Sequence, residues 1–114
     1  MDDLTNDAKF LISAMYKEYL ERRKIGKTKE EATNFQSEKV IAQEIMPEWK
    51  EADVNYTIAE LKSHGFLDAT AAGNAFMWVK MTSKAISALE VTFQDKVDSV
   101  LNFMAKIKDA IPFI

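Results

Sequence analysis

Residues 46–89 read MPEWKEADVNYTIAELKSHGFLDATAAGNAFMWVKMTSKAISAL, and this stretch decides the predicted fold. A helical run ends at Gly65, because glycine accepts the left-handed conformation that commonly closes a helix. Phe66–Asp68 and Ala75–Met81 then read as two antiparallel strands. Thr82 or Ser83 opens the next helix, since either hydroxyl can accept an unpaired N–H of a first turn. The pattern predicts a helix, a β-hairpin and a second helix, in that order.

The helix before the glycine is predicted over Lys50–His64. Val54, Ile58 and Leu61 recur at i, i+4 and i+7, so they form one narrow apolar stripe that should face the core. With this stripe inward, the outward positions are Ala52, Tyr56, Ala59 and Ser63, flanked by Asn55 and Glu60.

The hairpin is predicted to have a long connection, Ala69–Asn74, and a second strand that is apolar on both faces. One face can pack on the helical core, whereas the other needs a cover, for which the C-terminal helix is a candidate. Alternatively, Phe76 and Trp78 form a patch that binds a partner. Strand alternation places Ala75, Met77, Val79 and Met81 on one face and Phe76, Trp78 and Lys80 on the other.

Three helical elements are predicted before this stretch, and each carries its own start and stop signals. Arg22, Arg23 and Lys24 lie in the last turn of the first element. The three run from Thr5 or Asn6 to the stop at Gly26, from the capping box Thr28–Glu31 to about Asn34, and from the cap Ser37 to Ile45 before Pro47.

The C-terminal helix is predicted to continue without a break over residues 83–110. It would span roughly 40 Å, whereas a domain of this size has a radius of gyration of about 13 Å. Part of its apolar stripe should therefore extend beyond the domain and pair with a second copy, although burial within one subunit is the alternative. The predicted dimer interface comprises Phe93, Val97, Val100, Met104, Ile107 and Ile111.

Composition indicates one soluble globular domain, residues 1–114, with 47% hydrophobic and 29% charged residues. The absence of cysteine excludes disulfides, zinc–thiolate sites and thiol catalysis. No apolar run is long enough to cross a bilayer, and the N-terminus does not resemble a secretory signal. We therefore expect a cytoplasmic protein that does not contact membranes.

The net charge of −3 is distributed unevenly along the chain. Residues 35–81 carry seven acidic and four basic side chains, whereas the segments before and after this range are each balanced. Nucleic-acid-binding domains usually carry a basic excess. The acidic excess thus lies in the segment that would have to read DNA.

The motif Leu61-x-x-x-Gly65-Phe66-Leu67, followed after the hairpin by Met81-Thr82-Ser83-Lys84-Ala85-Ile86-x-x-Leu89-Glu90, resembles the winged-helix family. The resemblance covers roughly residues 5–90 and extends to small winged-helix proteins of Gram-positive bacteria and their phages and, more loosely, to the YjcQ-like group. It implies an α+β, mostly helical fold: a winged helix-turn-helix with a β-hairpin wing and a long C-terminal helix. It also implies DNA binding and transcription regulation. Ala85 departs from the glycine often found there, and a helix accepts alanine easily.

In such a fold, Lys50–His64 occupies the recognition position and Ala69–Asn74 the wing tip. The candidate contacts to DNA or to a partner are Asn55, Tyr56, Lys62 and Ser63, for which an ordinary solvated helix face is the alternative. Neither the wing tip nor the outward positions of the helix carry the arginine and lysine that usually neutralise phosphate and read guanine. Candidate phosphate contacts are Arg22, Arg23, Lys27 and Lys29, although basic residues in a last helical turn often serve only the helix dipole.

Two functions remain open: a DNA-binding regulator of bacterial or phage origin, or a winged-helix module that binds a protein without binding DNA. Double-stranded DNA, a protein partner and a second copy of the chain are the expected partners. We expect no enzymatic activity, because His64 is the only histidine and no catalytic pattern surrounds it. No cofactor and no metal site are expected.

Overall fold

The computed structural model describes residues 1–111, which form a mostly helical α+β fold with one three-stranded antiparallel sheet. The short helix α3 continues directly into a π-helical turn. In chain order the elements are α1 (Asn6–Lys24), α2 (Lys29–Thr33), β1 (Asn34–Ser37), α3 (Glu38–Val40), the π turn (Ile41–Ile45), α4 (Glu51–Ser63), β2 (Leu67–Ala72), β3 (Ala75–Met81), α5 (Ser83–Phe93) and α6 (Val97–Lys108).

The predicted helix signals are confirmed. Thr28 and Glu31 form a reciprocal capping box. The Glu31 backbone N–H donates to the Thr28 hydroxyl at 3.1 Å, and the Thr28 backbone N–H donates to the Glu31 carboxylate at 3.0 Å. Gly65 ends α4 at a φ of 78°. Hydroxyl oxygens that accept a first-turn N–H belong to Thr5, Ser37 and Thr82. These features depend on residues close in sequence, which is why the sequence reveals them.

Strand β1 was not predicted from the sequence. It pairs with β3, which is central in the order β1–β3–β2, and its register shifts twice within four residues. Gln36 adopts a φ of 66°, so the strand lacks the regular alternation that marks strands in a sequence. Buried Phe35 anchors it to the core.

The predicted long connection of the hairpin is wrong. Strand β2 extends to Ala72, and only Gly73 and Asn74 separate it from β3. Gly73 has a φ of 66°, as a tight hairpin turn requires. The wing tip is therefore two residues rather than Ala69–Asn74. The sequence did not show that β2 extends this far, because its alanine-rich part has little strand propensity of its own.

A bulge in β3 interrupts the predicted alternation: Val79 and Met81 are buried together as predicted, whereas Met77 is exposed. Asp68 pairs with Lys80 and Thr70 pairs with Met77, so two residues of β3 lie opposite one residue of β2. Trp78 lies in this bulge at a φ of 56°, and its side chain is 68% exposed. It is therefore not covered by the C-terminal helix, which was one of the two predicted alternatives.

The single C-terminal helix predicted over residues 83–110 is also wrong. Gln94 and Asp95 adopt left-handed conformations, with φ of 52° and 59°, and separate α5 from α6. Helix α6 folds back onto α1, and the described chain measures 36 × 33 × 24 Å. The apolar stripe therefore packs within the subunit instead of extending beyond it.

The six predicted interface residues consequently contribute to the packing of the subunit itself. Phe93, Val100 and Ile111 are buried, and the rest are half-buried: Val97, Met104 and Ile107. The helix-length argument for a dimer is lost, and homodimerisation stays a prediction.

Candidate functional site

Helix α4 presents the outward face that the sequence predicts. Val54, Ile58 and Leu61 are fully buried against the core. The predicted outward positions Ala52, Tyr56, Ala59 and Ser63 are all exposed, and Tyr56, the largest of them, is 79% exposed. Along this line of α4, Tyr56 is thus the one aromatic side chain among small residues.

A polar junction attaches the hairpin to α4. Asn55 donates its side-chain N–H groups to the Glu38 carboxylate at 2.5 Å and to the Asn74 carbonyl at 3.1 Å. The same Glu38 oxygen accepts the backbone N–H of Phe76 at 3.2 Å. The Asn55 amide is therefore committed to the fold, which removes its donors from the predicted set of DNA or partner contacts.

The sequence analysis did not identify Glu38 as a residue of this junction. Its side chain lies in the core and is only 3% exposed. Burial raises the pKa of its carboxyl group, whereas the hydrogen bonds from Asn55 and Phe76 oppose that shift. The neighbouring Glu51 carboxyl group, within hydrogen-bonding reach, raises the pKa further. Nothing in the local sequence distinguishes Glu38 from an ordinary helix-opening glutamate.

Lys62, another predicted contact residue, also faces the hairpin. Its ammonium nitrogen lies 5.7 Å from the centre of the Phe76 ring, within range of a cation–π contact. Phe76 is half-buried at this point. Of the four predicted contacts on α4, Tyr56 and Ser63 remain on the outward face, and Asn55 and Lys62 lie on the hairpin side.

Carboxylates collect on the other side of Tyr56, where α4 meets the start of α1. Glu60 accepts both the backbone N–H and the hydroxyl of Thr5, at 2.8 and 2.7 Å. Burial raises the pKa of Asp7, and the negative charges of Asp53 and Glu60 raise it further. Within residues 1–111, none of these three carboxylates forms an ion pair.

The predicted phosphate contacts divide into structural and free residues. Arg22 donates to the Asn34 carbonyl at 2.9 Å, and its guanidinium carbon lies 4.3 Å from the centre of the Phe35 ring. Arg23 donates to the Lys27 carbonyl at 3.0 Å. The side chains of Lys27 and Lys29 are exposed. Arg22 therefore anchors β1 to α1, and two lysines remain as free cations in this group.

His64 lies at the C-terminal cap of α4, and its Nδ1 is 3.0 Å from the Glu60 carbonyl oxygen. The described part of the chain contains no group of three or more His, Asp or Glu side chains placed to hold a metal ion. Across residues 1–111, no helix has the length and apolarity needed to cross a membrane.

This chain matches no family model, no curated protein and no solved structure.

Proposed function

We propose that this chain is a winged-helix interaction module that binds a protein partner through the outward face of α4 and the exposed side of the β2–β3 hairpin. The winged-helix assignment is supported by the succession of helix, strand, helical turn, helix and hairpin, and by the sheet order β1–β3–β2. In that layout α4 stands at the recognition position and the hairpin at the wing position.

The observation that carries the proposal is the exposure of two large aromatic residues, Tyr56 and Trp78. Tyrosine and tryptophan are enriched among the residues that dominate protein–protein binding energy. Trp78 is held outward by a left-handed backbone conformation, which is unfavourable for a bulky residue and tends to be retained at functional sites. Arg22, the arginine closest to the sheet, is not available to contact phosphate, because it donates to the Asn34 carbonyl.

Photo-crosslinking can test this surface in the full chain. Benzoyl-phenylalanine placed at Tyr56 or Trp78 should yield a discrete protein adduct in a lysate of Gram-positive bacteria. Ile25 and Val91, which are exposed to a similar degree, serve as control positions. Adducts at the controls alone, or equally at all four positions, would exclude a partner surface on α4 and the hairpin.

DNA binding by a transcription regulator is the second candidate, and it is favoured by the winged-helix layout together with exposed Lys27, Lys29 and Lys62. It predicts a complex with duplex DNA whose affinity falls with salt, because phosphate contacts release counterions. Replacing one contacting lysine by alanine should reduce the salt slope by roughly one. Absence of binding to a random-sequence duplex pool at low salt rejects this candidate.

Homodimerisation is proposed separately, as a property compatible with either function. Light scattering coupled to size-exclusion chromatography measures it directly, because a dimer doubles the 13.0 kDa mass of the chain. A single mass of about one chain over the accessible concentration range excludes it.

A further inference from the structure

We infer that the partner surface on α4 recognises a basic protein segment, whose arginine or lysine side chains contact Tyr56 and the carboxylates of Asp7, Asp53 and Glu60. This inference rests on the proposed function and adds the chemistry of the partner. It concerns the α4 face alone and does not involve Trp78.

Helical spacing places Tyr56 beside two of the carboxylates. Asp53 precedes Tyr56 by three residues and Glu60 follows it by four, and both spacings make neighbours on a helix surface. The two hydrogen bonds from Thr5 to Glu60 join the start of α1 to this part of α4 and bring Asp7 alongside. An aromatic ring thus stands next to carboxylates from two elements.

The surroundings of Tyr56 leave its ring accessible. Ala52, Ala59 and Ser63 are exposed and too short to cover it. A guanidinium or ammonium group that approaches the ring therefore gains a cation–π contact and reaches the carboxylates at the same time. Arginine is the better fit, because its planar group can stack on a ring while donating to a carboxylate.

Within residues 1–111, no basic side chain forms an ion pair with Asp7, Asp53 or Glu60. The ion pairs in residues 1–111 join Lys17 to Glu21 and Arg22 to Glu18, and both lie on α1 away from its start. Lys62, the cation nearest in sequence to Glu60, is directed towards the Phe76 ring instead. A basic partner supplies the missing counter-charge, whereas an acidic partner or a phosphate backbone is repelled.

The test uses a fluorescein-labelled peptide of nine arginines as the probe and the full chain as the receptor. Fluorescence anisotropy at low salt measures the dissociation constant, and amide chemical shifts map the contact. Binding should change the amide chemical shifts of residues near position 7 and of residues 53–60. Tyr56→Ala should weaken binding about fivefold, as expected for loss of one cation–π contact.

A matched pair of charge variants separates a specific surface from attraction to net charge. Asp7→Asn with Asp53→Asn should weaken binding about fivefold or more. Glu30→Gln with Glu44→Gln removes the same number of charges at exposed positions elsewhere and should leave binding within about twofold. Glu60 is left intact, because it holds Thr5.

Equal weakening by both double variants, or chemical shifts centred elsewhere, overturns the basic-partner inference. If crosslinks form at Tyr56 in the lysate while the arginine peptide does not bind, the proposed function stands and this inference fails. If neither the Tyr56 crosslinks nor the peptide complex forms, this inference fails, and the proposed function stands only if crosslinks form at Trp78. Binding of duplex DNA mapped to the same α4 residues also overturns it.

Discussion

Glu38 shows how one buried side chain can connect three elements of a small domain. It begins α3, accepts a hydrogen bond from Asn55 of α4, and accepts the backbone N–H of Phe76 in β3. Asn55 passes the connection on to the carbonyl of Asn74 in the hairpin turn. A carboxyl group in this position therefore controls how firmly the hairpin is held against α4.

The raised pKa of Glu38 predicts a specific dependence of stability on pH. Because folding disfavours its ionisation, its contribution is fully present below the unfolded pKa and is lost as pH rises through the folded pKa. Glu38→Gln keeps an acceptor oxygen without the charge. The free energy of unfolding of Glu38→Gln, measured by urea denaturation, should therefore rise relative to the natural chain as pH increases from about 4 to 8.

Glu30→Gln provides the control, because Glu30 is exposed on α2. The difference in free energy of unfolding between Glu30→Gln and the natural chain should stay nearly constant over the same pH range. A constant difference for Glu38→Gln as well would show that the Glu38 carboxyl group does not titrate differently in the folded and unfolded chains.

At the scale of elements, the interruption between α5 and α6 determines the C-terminal architecture. Gln94 closes α5 in a left-handed conformation, and its N–H donates to the Glu90 carbonyl at 2.8 Å. Such closures usually use glycine, because other residues place Cβ close to the backbone. Neither proline nor glycine occurs between residues 83 and 110, so the sequence predicts a continuous helix there.

Gln94→Gly should stabilise the protein, because Gln94 is held in a left-handed conformation. Glycine relieves the left-handed strain, and after its greater entropy loss the net gain should be about 0.5–1 kcal/mol. Urea denaturation measures the difference, with Ala105→Gly inside α6 as the control. The control should lose about 1 kcal/mol, as glycine does within a helix. A comparable loss for Gln94→Gly would indicate one continuous helix.

At the scale of the whole molecule, α1 is the element around which the rest is arranged. Its buried residue Tyr16 donates its hydroxyl to the Asp95 carboxylate at 2.7 Å, across 79 positions in sequence. The Tyr16 ring stacks on Phe93, which in turn meets the edge of Phe103 in α6. Burial and the Asp95 hydrogen bond both raise the pKa of Tyr16. This contact stabilises the turn that returns α6 to α1.

Tyr16→Phe should therefore lower the free energy of unfolding by about 1.5–3 kcal/mol, as expected for a hydrogen bond to a charged acceptor. Tyr19→Phe is a matched control, because Tyr19 is also buried and its hydroxyl forms no hydrogen bond within residues 1–111. The control should change stability by less than about 0.5 kcal/mol. A double-mutant cycle with Asp95→Ala isolates the pair, and zero coupling would contradict the contact.

Signals confined to a few neighbouring residues were sufficient to predict much of this fold. The caps at Thr5, Thr28, Ser37 and Thr82, the stop at Gly65 and the inward stripe of α4 all follow from local hydrogen bonding or helical period. The outward position of Tyr56 follows from the same period. These features depend on the chemistry of adjacent turns, which a sequence displays directly.

Contacts between residues distant in sequence decide the rest. Pairing with β3 makes Asn34–Ser37 a strand, a bulge interrupts the alternation of β3 at Trp78, and packing on α1 divides the C-terminal helix. Packing likewise uses Arg22 and Asn55 as structural residues and leaves Tyr56 beside unpaired carboxylates. Strand β1, the bulge in β3 and the break between α5 and α6 override local preferences, because burying apolar surface between distant segments outweighs the cost of a few unfavourable backbone conformations.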